Sequence, residues 1–203
     1  YRFSLPDRSV RIMESRGGVA WDAGGKTLHV LVISKDVTER KEAERKIHRL
    51  AFYDALTKLP NRLTLNDRLQ QAMAASKRSG QYGALMFLDL DNFKSLNDTL
   101  GHQVGDEALK VLADILIASS RKVDVAARLG GDEFVLLLPD TDEQSCYMLI
   151  KRIEASTKQA FEGRSWPISI SIGRTTHIGK TQEAELVIGL ADKNMYEAKK
   201  KKQ

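Results

Sequence analysis

The chain has a single cysteine, Cys146, among its 203 residues, so no internal disulfide can form. A lone thiol fits a reducing compartment, and a cytoplasmic location is expected; its default role is that of a small buried apolar side chain. No uncharged apolar run approaches the length of a membrane span, and no basic start followed by an apolar core and cleavage site opens the chain. This stretch is therefore expected to be soluble and to make no membrane contact of its own. Because it opens on Tyr1 within a strand-like pattern, it reads as a piece of a longer protein, which leaves room for an anchor upstream. The histidines, His29, His48, His102 and His177, are scattered and form no ligand cluster. The formal net charge of +5 would suit nucleic acid, anionic lipid or a polyphosphate ligand, but no basic helix carries base-reading or stacking side chains, and a triphosphate substrate accounts for the charge as well as any of these.

What is present is 42% apolar content, enough for a core of normal size, arranged as two modules. Residues 1–36 read as strands over Tyr1–Leu5, Val10–Val19 and Lys26–Ser34, with turns at Pro6-Asp7 and Gly24-Gly25. A charged helix follows, with Thr38 as its expected N-cap and Ala43, Ile47 and Leu50 on one face, a seam equally suited to a coiled coil or to local packing. The second module runs from Tyr53 to Gln203. Periodicity predicts helices from Asn61 to Ser79, over Asp91–Leu100, Gly105–Ser119, Glu143–Phe161 and Glu183–Lys200. Strands are expected at Gly83–Leu90, Val123–Leu129, Glu133–Leu138 and Ile168–Arg174. The apolar run Ala84-Leu85-Met86-Phe87-Leu88 suits a strand covered on both faces, and Gly130-Gly131 suits a hairpin turn.

The chemistry gathers at strand ends. Asp89 stands at the C-terminal end of the buried strand with Asp91 two places on, where α/β sheets hold their ligands. Asp132-Glu133 follow the glycine turn, and if that hairpin lies beside the Asp89 strand, the carboxylates converge as hard oxygen ligands for Mg²⁺ or Mn²⁺ held together with phosphates. The plain alternative is a solvated acidic rim, the usual fate of any one of these residues taken alone. Gly130 and Gly131 both make the turn and let the backbone approach a bulky anion. The start of the helix after Asp91 offers the N–H groups of Phe93 and Lys94 to an anion.

Gly130-Gly131-Asp132-Glu133-Phe134 is the full signature of the GGDEF family, and three further blocks stand in order around it. Asp54-x-Leu56-Thr57-x-Leu59-Pro60-Asn61-Arg62 opens the module; Phe87-x-Asp89-x-Asp91-x-Phe93-Lys94-x-x-Asn97-Asp98 with Gly101-His102 and Gly105-Asp106 is the second; Ala191-Asp192-Lys193-x-x-Tyr196-x-Ala198-Lys199 is the last. Residues 53–203 thus resemble a diguanylate cyclase domain, and residues 1–37, ending in Asp36-Val37-Thr38-Glu39-Arg40-Lys41, resemble the C-terminal part of a PAS sensor, joined by a helical linker at 38–52. The resemblance implies an α/β fold of the α+β sandwich kind, a mixed but largely antiparallel central sheet with surrounding helices, like a nucleotidyl cyclase or polymerase palm. It implies condensation of two GTP into cyclic dimeric GMP by a homodimer, with two Mg²⁺ or Mn²⁺ per site. Asp89, Asp132 and the carbonyl of Leu90 would hold the metals, Glu133 would stand close to metal and phosphate, and Asp132 would be the candidate base. Asn97 and Asp106 would face guanine, Phe93, Lys94, Gly130, Gly131 and Lys199 would face the phosphates, and Arg121 with Asp124 would form a product-inhibition site, R-x-x-D.

One departure from the family pattern, one plain reading of Lys199 and two rivals accompany this reading. The family's second basic anchor, an Arg after a Gly, falls where this chain has Lys202 and Gln203. Lys199 lies in a lysine run, which without the motif reads as a solvated tail. The rivals are a receptor that binds GTP or cyclic dimeric GMP without turnover, and a dimerisation scaffold. No phosphodiesterase module is present in this stretch.

Overall fold

The computed structural model describes residues 1–25, 27–80, 83–176, 178 and 183–200. His177, Lys202, Gln203, the expected strand start at Lys26 and the side chain of His29 lie outside the described residues. The chain divides into two compact units, Tyr1–Leu50 and Ala51–Gln203. No described helix is long and apolar enough to cross a membrane.

In the first unit β1 (Arg2–Ser4), β2 (Val10–Trp21) and β3 (Thr27–Asp36) form an antiparallel sheet in that order. Successive residues of a strand face opposite sides. Val30, Leu31, Val32 and Ile33 are nevertheless all exposed, so neither face of β3 is covered within the unit. The order comes instead from the strand-to-helix joint at the start of α1 (Thr38–Phe52). Thr38 was expected to cap this helix; it is Asp36 that does so, its Oδ1 accepting from Thr38 N at 2.8 Å and from Thr38 Oγ1 at 2.6 Å. The Thr38 hydroxyl oxygen in turn accepts from Ile12 N at 2.8 Å, tying β2 to the helix start.

The second unit consists of α2 (Arg62–Ser79), β4 (Gly83–Asp91), α3 (Phe93–Leu100), α4 (His102–Ser119), β5 (Val125–Gly130), β6 (Glu133–Pro139), α5 (Glu143–Glu162), β7 (Ser169–Thr176) and α6 (Ala184–Lys200). The strands pair antiparallel in the order β5-β6-β4-β7, which makes β4 and β6 the central strands. Alternation sends Ala84, Met86, Leu88 and Leu90 into a core shared with α4 and α5, where Leu112 and Leu116 are fully buried. Leu85 and Phe87 point the other way, into a second core with Leu65 and Leu69 of α2 and Val187, Ala191 and Met195 of α6. The sheet is thus sandwiched between helices, as expected from the uninterrupted apolar run of β4.

Local chemistry sets the element ends. Asn61 caps α2, its Oδ1 accepting from Thr64 N at 3.1 Å, and Gly80 closes the helix in the left-handed conformation at φ 69°. Two starts differ from the sequence expectation. Asp91 finishes β4 instead of opening α3, because Asn92 takes the left-handed kink between them. The helix α4 begins at His102, three residues before Gly105, since packing against α3 overrides the low helix propensity of glycine.

Candidate active site

The row Leu85-Phe87-Asp89 on β4 runs beside Leu137-Val135-Glu133 on β6, on the face that packs against α2 and α6. Both rows begin apolar and end in a carboxylate, so the second core opens into an acidic end. Asp89 and Glu133 are direct cross-strand partners, and Asp132 precedes Glu133 in the turn. Like charges directly opposite in a sheet are unfavourable, so their pairing calls for a counter-charge.

The titration of these groups records the conflict. The Asp89 carboxyl is raised above the ordinary carboxylate range, first by burial and then by the charges of Asp132 and Asp91, against the opposing pull of Lys199. Glu133 is likewise raised, first by burial and then by Asp192, Asp132 and Asp89, with Arg62 opposing. Arg62 reaches Glu133 at 3.8 Å, but both side chains are largely exposed and the pair is weak. Lys199, in the last turn of α6, places its Nζ against Asp89 Oδ1. Burial alone would lower that ammonium, but the bond it donates to Asp89 and the charges of Asp89, Asp91 and Asp132 raise it, so it stays charged. Lys199 therefore packs against Asp89 and is no solvated tail.

Asp91 behaves differently from the expected open acidic rim. It is buried, and its two oxygens accept from Ser169 Oγ at 2.6 Å and Ser171 Oγ at 2.7 Å on β7. Its charge is felt at the site while each of its oxygens is already bonded to a serine of β7. Among the described residues no three His, Cys, Asp or Glu side chains converge on one point. The donor chemistry still fits a small hard cation, because such ions need only one or two carboxylates and complete their shell with carbonyl, water and substrate phosphate. Asp89 and Asp132 with the Leu90 carbonyl would supply that partial set, with Glu133 alongside, and Asp89 and Glu133 stand directly opposite across β4 and β6.

Beside the acidic end, α3 begins at Phe93 after Asn92 at φ 63°, with no side-chain cap on its first N–H groups. The backbone N–H groups of Phe93 and Lys94 are thus left at the positive end of a helix dipole, a ready anion site. Lys94 is exposed. Asn97, half-buried near the end of α3, lies against the first turns of α4, where Asp106 is exposed. Gly130 and Gly131 have φ of 147° and 50°, backbone angles that glycine adopts without strain.

The residue that sequence reasoning missed is Arg128. It donates from Nε at 3.0 Å and from Nη2 at 2.7 Å to the Gly131 carbonyl, and from Nη1 to Asp54 Oδ1 at 3.0 Å. The same Asp54 oxygen accepts from Thr57 N and Thr57 Oγ1, so the first sequence block clamps the glycine turn. Burial pushes the Asp54 carboxyl up, but the Thr57 and Arg128 bonds outweigh it and hold it below its usual range. A signal was there to be seen: a guanidinium in an otherwise apolar strand, Val125-Ala126-Ala127-Arg128-Leu129.

Arg121 and Asp124 occupy the turn between α4 and β5. Asp124 Oδ2 accepts from the Arg121 backbone N–H at 2.7 Å, leaving the Arg121 side chain exposed. The other oxygen, Oδ1, is buried and has no partner among the described residues. The Asp124 carboxylate thus closes a turn onto the Arg121 backbone, and among the described residues the Arg121 guanidinium forms no salt bridge with it.

Residues 51–203 match the family described as "Diguanylate cyclase, GGDEF domain". The probable diguanylate cyclase DgcE of Escherichia coli is 36% identical over 178 residues, 86% of this chain and 16% of that protein. The diguanylate cyclase DgcM of Escherichia coli is 34% identical over 195 residues, 96% of this chain and 47% of that protein. The chain thus spans less than half the length of these relatives. Among solved structures, the coiled coil and GGDEF domain of DgcB from Caulobacter crescentus, in complex with c-di-GMP, superposes with a TM-score of 0.70 at 27% identity, covering 81% of this chain and 88% of that one. With its helix-covered antiparallel sheet, its acidic end and its glycine turn, the chain belongs to the GGDEF family of diguanylate cyclase domains.

Proposed function

We propose that the chain is a diguanylate cyclase that condenses two GTP into cyclic dimeric GMP and two pyrophosphates. The observation that carries this reading is the pairing of Asp89 with Glu133 across β4 and β6, with Asp132 beside them and both paired carboxyls raised. Asp89, Asp132, Glu133 and the Leu90 carbonyl would hold Mg²⁺ or Mn²⁺, two per site, which when bound supplies charge stabilisation for the transferring phosphoryl group. The N–H groups of Phe93 and Lys94, the glycine turn, and the ammonium groups of Lys94 and Lys199 orient the triphosphate. Asn97 and the Asp106 carboxylate face guanine, whose N1–H and exocyclic amine are a donor pair that adenine lacks.

In each half-reaction the 3′-oxygen of one GTP bonds to the α-phosphorus of the other, the bond to pyrophosphate breaks, and Asp132 accepts the hydroxyl proton. One chain holds one GTP, so two chains must face each other and the working enzyme is a homodimer. Residues 1–37 are the C-terminal part of a PAS sensor, and α1 is the element through which it sets the population of productive dimers. Arg121 and Asp124 bind the product's guanine and inhibit, the exposed guanidinium taking O6 and N7 while the Asp124 carboxylate takes the amine edge.

One observation favours a second reading. Lys199 already neutralises Asp89, as suits a weak or inactive receptor for GTP or cyclic dimeric GMP. Incubation with GTP and Mg²⁺ decides between them: a cyclase releases cyclic dinucleotide and pyrophosphate, a receptor binds without turnover. Asp132→Ala is expected to lower the rate by about a thousandfold or more. Product formed at an unchanged rate by that variant would overturn the cyclase reading.

A further inference from the structure

Gly105 lies inside α4, where its backbone is ordinary right-handed helix with no positive φ. Alanine is the better helix former at such a position, so neither the helix nor a turn calls for glycine. The reason is across the hairpin. A Cβ built on Gly105 would come within 2.9 Å of Asn97 Cγ and 3.3 Å of its Nδ2, and would overlap its Oδ1. The three nearest atoms all belong to the Asn97 amide, and none is backbone. Gly173 shows the contrast, since a Cβ there would strike the backbone of α6, 2.6 Å from Met195 Cα. Substitution at Gly173 must move a helix, whereas substitution at Gly105 need only turn one side chain.

We propose that Gly105 is a positioning residue for guanine recognition: its bare Cα is the seat on which the Asn97 amide lies, which fixes the direction in which that amide is presented. Leu96, next to Asn97, is anchored in the core at 1% exposure, so the backbone of Asn97 cannot follow a displaced amide. A Cβ at position 105 then swings the amide away from the nucleotide while leaving the α3–α4 pair intact. The inference rests on the guanine reading of Asn97.

The test titrates the whole chain with the α-thio analogue of GTP in Mg²⁺ and measures thermal stability in parallel. Gly105→Ala is expected to bind about tenfold more weakly, the loss of a directed hydrogen bond, with a Tm at or above wild type. In an Asn97→Ala background the same substitution is expected to change affinity by less than about twofold, because the group it displaces is gone. Unchanged binding by Gly105→Ala, a loss that persists without Asn97, or a fall in Tm alongside the weaker binding would each overturn the proposal. A wild-type chain with no affinity for the analogue would overturn the nucleotide reading and this inference together; wild-type binding with an indifferent Gly105→Ala would sink this inference alone.

Discussion

Asp89 and Asp54 show how one side-chain type serves opposite ends. The folded Asp89 carboxyl is raised, so the native state holds its proton more tightly than the unfolded chain does. Its contribution is most favourable below the ordinary carboxylate value of 3.8 and declines as pH rises through the window up to the raised value. At neutral pH the ionised group therefore weighs against folding. Asp89→Asn is expected to be at least as stable as wild type at neutral pH, and to lose the rise in Tm that Mg²⁺ gives the wild type. Thermal scans with and without the ion check both, and a strong Mg²⁺ effect retained in the variant would remove Asp89 from the cation site. The folded Asp54 carboxyl is depressed, so its contribution is present above 3.8 and is lost as pH falls through the folded value. Asp54→Ala is expected to cost about 2 kcal/mol, since it strips a charged partner from the mostly buried Arg128. Urea titrations should show that gap widest at neutral pH and narrowing below 3.8.

Two contacts decide where α6 lies. Gly173 on β7 lets the backbone at Ala191 and Met195 approach the strand, and Lys199, about one turn beyond Met195, reaches Asp89 from the same helix. A methyl group at position 173 would force α6 off the sheet and carry Lys199 with it. Gly173→Ala is therefore expected to lower stability by about 2 kcal/mol and to weaken triphosphate binding as well. Denaturation and nucleotide titration of the same sample test the coupling; loss of one without the other would separate the helix position from the site. The glycine turn is governed in the same way by a neighbour distant in sequence, because the Arg128 guanidinium that donates to the Gly131 carbonyl is itself held by Asp54, 74 residues away.

The whole molecule is uneven. In Ala51–Gln203 two apolar layers cover the two faces of one sheet, whereas in Tyr1–Leu50 the described apolar side chains of β3 are bare. Residues 51–203 alone are expected to unfold in a single cooperative transition, while residues 1–50 alone are expected to show none, because a small sheet without a packed face is marginal. Circular dichroism melts of the two fragments check this. Within the larger unit, Leu112→Ala is expected to cost about 3 kcal/mol, since Leu112 is fully buried between α4 and the sheet.

Much of this was legible in the residues themselves. The apolar run of β4 foretold a strand buried on both faces, Gly130-Gly131 foretold the hairpin, and the alternating rows that end in Asp89 and Glu133 are written in the order of side chains. Local pattern determines these features because strand alternation and turn chemistry act over a few residues. Pattern placed the start of α4 at Gly105, three residues late, and without the family motif the lysine run around Lys199 reads as solvated, whereas Lys199 lies against Asp89. Only tertiary structure decided that Arg128 clamps the turn, that Asp91 is taken up by Ser169 and Ser171, and that Gly105 makes room for Asn97. Each of those depends on atoms brought within a few ångströms by packing between elements; an arginine in an apolar strand signals that a partner exists, but which residue it meets is settled only when the chain has folded.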